Sequence, residues 1–136
     1  MIRNYHNPEG TIKLIDSIAV NSPVKVYTSS TTGGSIGGSV TGQASAITTM
    51  VLCNVGAPDV TDESVNTVTV NIYLVQSGET ADTATGSNLI VSNLTIPAGE
   101  TVFFSDEKII LDSGDEVWVG TSTAALVSAT VSTLPV

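Results

Sequence analysis

Few residues of this chain have side chains that could carry chemistry: one histidine, one cysteine and 13 carboxylates. A Ser-His-Asp triad would have to use His6, which lies among Asn4, Asn7 and Pro8 near the chain start, where backbone is commonly loose. His6 is therefore read as a surface residue or a packing contact in an assembly. Cys53 follows Val51 and Leu52 and has nothing basic near it in sequence. A catalytic thiol needs an electropositive, partly exposed setting, so Cys53 is expected to be a small core residue. One histidine and one distant cysteine make no zinc cluster. Asp59, Asp62 and Glu63 in one stretch, and Asp112, Asp115 and Glu116 in another, offer the oxygen ligands that calcium takes. Neither stretch has the Asp-x-Asp-x-Asp-Gly spacing of a calcium loop, and Asp112-Ser113-Gly114-Asp115 is more simply a turn. Gly33-Gly34-Ser35-Ile36-Gly37-Gly38-Ser39 is the most site-like string. A phosphate loop adds a following lysine and a helix, and neither is visible, so a flexible loop is expected. The residues thus assign no catalytic, cofactor-binding or metal site, and the chain is expected not to be an enzyme.

The elements that would position any site are strands. Apolar residues do not recur at helical spacing for three turns anywhere. In residues 65–76, Val68, Val70, Ile72 and Leu74 share one parity, and Thr67, Thr69, Asn71 and Tyr73 share the other. A period of two with one apolar face predicts a half-buried strand. Residues 11–20 also read as a strand, with a change of parity that marks a bulge or a switch of face. Val24–Thr28 is a short strand after Pro23. Residues 46–54 place Ile47, Val51 and Cys53 on one side and Met50 and Leu52 on the other. Leu89–Ile96, Thr101–Phe104 and residues 108–111, 116–120 and 126–134 complete the set. The turns Pro97-Ala98-Gly99-Glu100 and Asp112-Ser113-Gly114-Asp115 are expected to close antiparallel hairpins. Eight or nine short strands separated by Gly, Pro, Asp and Asn predict an all-β, antiparallel β-sandwich of jelly-roll or immunoglobulin-like type. One domain spans residues 1–136, with 1–10 as an extended N-terminal arm. Residues 29–44, 56–64 and 76–88 are expected to be exposed loops, which is where binding usually lives.

Charge narrows the partners. Arg3, Lys13, Lys25 and Lys108 are the only basic residues, and the formal net charge is −9. No basic patch can be built from four scattered cations, so nucleic acid and anionic membrane are excluded as expected partners. The surface must be polar through Thr, Ser, Asn and Gly rather than through charge, since charged residues are only 12% of the chain. The six aromatic residues are Tyr5, Tyr27, Tyr73, Phe103, Phe104 and Trp118, too few for an aromatic-rich sugar cleft. Trp118 has the opposite parity to Val117 and Val119, and is expected to face a second packed layer or a partner. Asn93-Leu94-Thr95 matches a glycosylation sequon, but no secretory signal accompanies it.

Two stretches carry a resemblance. The first is Val51-Leu52-Cys53-Asn54-Val55-Gly56 followed by Val68-Thr69-Val70-Asn71-Ile72-Tyr73-Leu74. The second is Leu94-Thr95-Ile96-Pro97-Ala98-Gly99-Glu100-Thr101-Val102 followed by Ile109-Ile110-Leu111-Asp112-Ser113-Gly114-Asp115-Glu116-Val117-Trp118-Val119. Together with the alternating end at residues 127–133, they resemble small accessory structural proteins of tailed-bacteriophage virions. The resemblance implies a decoration or cement subunit of the capsid, or a neck or tail component, made in the host cytoplasm and carried in the virion. It implies no catalytic residue and no cofactor. The expected partners are further copies of the chain and other virion proteins, including the major capsid protein. The alternative is a loop-based carbohydrate- or receptor-binding β-sandwich module.

Overall fold

The computed structural model describes residues 12–15, 22–29, 32–33, 40–41, 44–106, 108–123 and 126–136. The expected arm at 1–10, His6 and most of the glycine-rich string lie outside them. Among the described residues every regular element is a strand: β1 (Ile12–Ile15), β2 (Val24–Thr28), β3 (Thr32–Gly33), β4 (Val40–Thr41), β5 (Ser45–Asn54), β6 (Val68–Val75), β7 (Leu89–Ile96), β8 (Thr101–Phe104), β9 (Ile109–Leu111), β10 (Glu116–Thr121) and β11 (Val127–Pro135). The stretch 29–44, read as a loop, thus contains a minimal ladder in which Thr32 pairs with Thr41 and Gly33 with Val40.

Two antiparallel sheets form the body. One has the order β1-β11-β5-β8, with β9 also on β5, and the other has the order β2-β10-β6-β7. The pairings are nested. The outermost pair is β1 with β11, then β2 with β10, then β5 with β8 and β9, and innermost β6 with β7. Successive pairs fall in alternate sheets, as when one long hairpin is rolled up. That is the jelly-roll arrangement, so of the two expected sandwich types this is the one adopted.

The core forms because each strand buries one parity. Met50 and Leu52 from β5, Val70 and Ile72 from β6, Val117 and Val119 from β10, and Ala129 and Val131 from β11 are all buried between the sheets. Each fully buried aliphatic side chain contributes about 1.5–3 kcal/mol. Parity is interrupted at bulges. One lies where Ser132 and Thr133 face Thr49 and Ile47, leaving Thr48 as the extra residue with its hydroxyl on the Ser132 carbonyl at 3.2 Å. This returns Ile47 to the core beside Met50, which simple alternation from Val51 does not foresee.

The two expected turns are present but close no hairpin. In each, the fourth residue's N–H bonds the first residue's carbonyl at 3.1 Å, and the third residue is a glycine at positive φ, Gly99 at 77° and Gly114 at 88°. Such type II turns splay the strands they join, whereas hairpins favour the primed types. Accordingly 97–100 carries the chain from β7 in one sheet to β8 in the other, and 112–115 carries it back from β9 to β10.

One buried side chain ties this end of the sandwich together. Asn54 is fully buried at the end of β5. Its Nδ2 donates to the carbonyls of Asn66 at 2.7 Å and Ile96 at 2.9 Å, and its Oδ1 accepts the Gly56 N–H at 2.9 Å. Its backbone N–H and carbonyl bond Glu100 and Gly99. A Cβ on Gly56 would lie 2.9 Å from Asn66 Cβ and 3.0 Å from Asn54 Oδ1, so only glycine fits beside this amide. Asn54→Ala removes the partner of one buried N–H and two carbonyls, a cost of about 3–9 kcal/mol at roughly 1–3 kcal/mol each. Urea unfolding should show a lower midpoint with an unchanged slope, and an unshifted midpoint would remove Asn54 from this role.

Candidate functional site

The sandwich offers two outer faces of opposite character. The outer face of the β1-β11-β5-β8/β9 sheet carries exposed apolar side chains on its β5 side, set among hydroxyls. Its residues come in cross-strand rows set by register: Ile110, Ala46 and Leu134; then Phe103, Val51 and Thr130; then Thr101, Cys53 and Ser128. Phe103 is 66% exposed, Ile110 58% and Leu134 55%. Directly opposed side chains in such rows lie about 4.5–5.5 Å apart at Cβ. Phe103 with Val51, and Ile110 with Ala46 and Leu134, therefore make two apolar patches on this face, separated along β5 by the Thr49–Ser132 pair. Cys53 belongs to this surface. It is half-buried with the opposite parity to Leu52 and Asn54, so the expectation of a core position is corrected. Alternation places it outward because Leu52 fills the inner site.

The outer face of the other sheet is polar. Lys25 Nζ meets Glu116 Oε1 at 2.7 Å, and the Trp118 indole N–H donates to Glu116 Oε2 at 2.6 Å. Trp118 registers between Lys25 and Tyr73 and is half-buried there, while Val117 and Val119 enter the core. Beside it lies a groove of about 330 Å³, whose lining includes Pro23, Thr69, Asn71, Tyr73, Thr83 and Asn93. A second groove, of about 570 Å³, lies at the Asn54 end between the 56–67 loop and the β7–β8 turn, and holds Asp59, Glu63 and Glu100.

The carboxylates that the sequence offers for calcium are engaged by their own loops. Asp59 Oδ1 accepts the Thr61 hydroxyl at 2.6 Å and its N–H at 2.8 Å; Asp62 does the same with Ser64 at 2.6 and 2.9 Å. These bonds, the hydroxyls first, hold both carboxyls below their usual range. Asp115 accepts the N–H groups of Ser77 and Asp112, and Glu116 is paired with Lys25. Among the described residues no three His, Cys, Asp or Glu side chains converge as metal ligands. Gly33-Gly34-Ser35-Ile36-Gly37 has the letters of a nucleophile elbow, which requires a strand leading into a helix. No helix follows β3 among the described residues, and Ser35 lies outside them.

Sequence reading misses the groove on the polar face because its residues come from β6, β7, β10 and three connecting segments. The only local hint is Asn93, which adopts φ 51° at a bulge of β7. Its N–H is held by Asn71 Oδ1 at 2.7 Å. Compared with known proteins, the chain matches no family model, no curated protein and no solved structure.

The 77–88 loop beside this groove is built around Asp82. Its carboxylate accepts the Thr85 hydroxyl, the N–H groups of Thr85 and Ala84 at 2.9 and 3.0 Å, and the Ser87 hydroxyl at 2.9 Å. The Thr85 hydroxyl foremost, then the Thr85 N–H and the Ser87 hydroxyl, drive its pKa far below the ordinary 3.8. A depressed folded pKa adds stability above the unfolded value, and that stability is lost as pH falls through the folded one. The protection factors of the Ala84 and Thr85 amides should therefore hold through pH about 4 and fall only in stronger acid. In Asp82→Asn they should be lower throughout and nearly independent of pH. Wild-type protection lost near pH 4 would contradict this.

Proposed function

We propose that the chain is a structural subunit of a bacteriophage particle, most simply a capsid decoration or cement protein, with neck and tail positions next. It acts by subunit association, as a homo-oligomer docked on other virion proteins. The observation that carries this reading is the apolar outer face centred on Phe103, Val51, Ile110 and Leu134. Uncharged, apolar side chains exposed on a flat sheet are the usual mark of a surface that is covered in the working assembly. Jelly-roll domains are a common architecture of viral capsids, which adds support by analogy only. The sequence resemblance to virion accessory proteins points the same way.

The mechanism is burial of this face against a neighbouring subunit. Phe103 is the natural anchor, since aromatic side chains near the centre of an interface carry a large share of its energy. The described residues around Phe103, Val51, Ile110 and Leu134 on this face are uncharged, which removes the cost of desolvating ions there. The net charge of −9 is then carried elsewhere, where it keeps the free subunit soluble.

The test has two arms. Mass spectrometry of purified virions of the encoding phage should detect the chain. Added to particles lacking it, the wild-type protein should co-sediment with them, and Phe103→Asp should weaken that binding by about tenfold or more while leaving circular dichroism unchanged. A chain absent from virions, or a Phe103→Asp variant that binds as wild type, would reject the reading.

A further inference from the structure

We infer that the polar groove on the outer face of the β2-β10-β6-β7 sheet is a binding site for a neutral saccharide unit. The inference stands apart from the proposed particle role, because it concerns the opposite face of the sandwich and needs no second subunit.

The volume fits. About 330 Å³ is the lower end of small-ligand pockets and holds one or two sugar rings. The chemistry of the lining selects the class. Among the described residues, no carboxylate, amine or guanidinium lines the groove. A charged ligand would find no counter-charge there. The nearby Lys25 and Glu116 neutralise each other, and Asp82, next in sequence to Thr83, is saturated by its own loop. An apolar ligand is no better served, since hydroxyls and amides dominate the walls. A polyol satisfies these groups.

Those groups are available. Asn71 uses its Oδ1 to hold the Asn93 N–H, and its amide N–H groups have no partner among the described residues. The hydroxyls of Thr69, Thr83 and Tyr73 have none there either. Tyr73 is only 4% exposed, so its ring is fixed while it lines the groove. The Pro23 ring supplies the small apolar surface on which the C–H side of a sugar rests.

The groove is also built and held. Gly120 registers opposite Asn71, and the missing side chain leaves the depression open, with the Pro23 ring alongside. On the other side two bulges of β7 displace its backbone, and Asn93 sits in the left-handed region within one of them. Bulges and non-glycine left-handed residues cost energy and gather at sites where a side chain must be aimed. Here the Asn71 side chain pins that backbone and so fixes the groove wall.

The experiment is an NMR titration of the full chain, labelled with nitrogen-15, with glucose, galactose, N-acetylglucosamine and their short oligomers. Sialyllactose and glucose 6-phosphate serve as charged probes. At least one neutral sugar is expected to give saturable shifts at Asn71, Thr83, Asn93 and Ser122. The charged probes should bind more weakly. Thr69→Val and Tyr73→Phe each remove one hydroxyl and leave the Asn71–Asn93 contact in place, so both should fold normally. Each should weaken the neutral sugar about two- to tenfold, the worth of one neutral hydrogen bond. No saturable shift with any neutral sugar, shifts confined to another face, or full affinity in both variants would overturn the assignment.

Discussion

The architecture depends on one buried amide. In this jelly roll several connections, β5 to β6, β7 to β8 and β9 to β10 among them, cross from one sheet to the other without closing a hairpin, so hairpin register does not fix one sheet against the other. Asn54 supplies the missing link. It stands at the end of β5 in one sheet and bonds the Ile96 carbonyl at the end of β7 in the other. It also bonds Asn66 and Gly56, which bound the loop between β5 and β6. A buried amide left unpaired would cost a few kcal/mol, so only one arrangement of these three segments is acceptable. The amide therefore acts as a register pin at the point where the hydrophobic core, being non-directional, specifies least.

With that end fixed, alternation produces two faces. Each strand buries one parity and presents the other outward. In β5, β8 and β9 the outward parity holds the apolar Val51, Phe103 and Ile110 beside the hydroxyls of Thr49 and Thr101. In β6 and β10 it holds Thr69, Asn71, Tyr73, Glu116 and Trp118. The two surfaces serve different physical ends. One loses water most favourably when covered by another apolar surface. The other keeps its donors and acceptors hydrated until something equally polar replaces the water. A subunit that assembles through one sheet and meets soluble ligands through the other would use both.

The turn chemistry shows how local and global information differ. Pro97-Ala98-Gly99-Glu100 and Asp112-Ser113-Gly114-Asp115 are turns for local reasons, and both glycines take positive φ. Whether a turn closes a hairpin or passes between sheets depends on the twist it imposes, and that follows from which turn type the packed strands allow. The acidic loops teach the same lesson in reverse. Asp59 and Asp62 look like metal ligands in a string of letters, yet each has a hydroxyl two residues on that takes its oxygen. A short local bond forms before any distant ligand set can assemble.

The sequence alone determined the all-β class, the inward parity of β6, β10 and β11, the turn positions and the scarcity of charge. Each is legible because it rests on periodicity, on the φ preferences of glycine, or on composition. The tertiary structure alone decided the nested pairing, the outward place of Cys53 beside Phe103, and the return of Ile47 to the core at a bulge. It alone also brought Asn71, Asn93, Thr83 and Pro23 into one groove. These depend on contacts between residues up to 118 positions apart in the chain, as Ile12 and Thr130 are. No local pattern encodes such contacts, because they follow from the single packing in which the core is filled and the buried amide of Asn54 is satisfied at once.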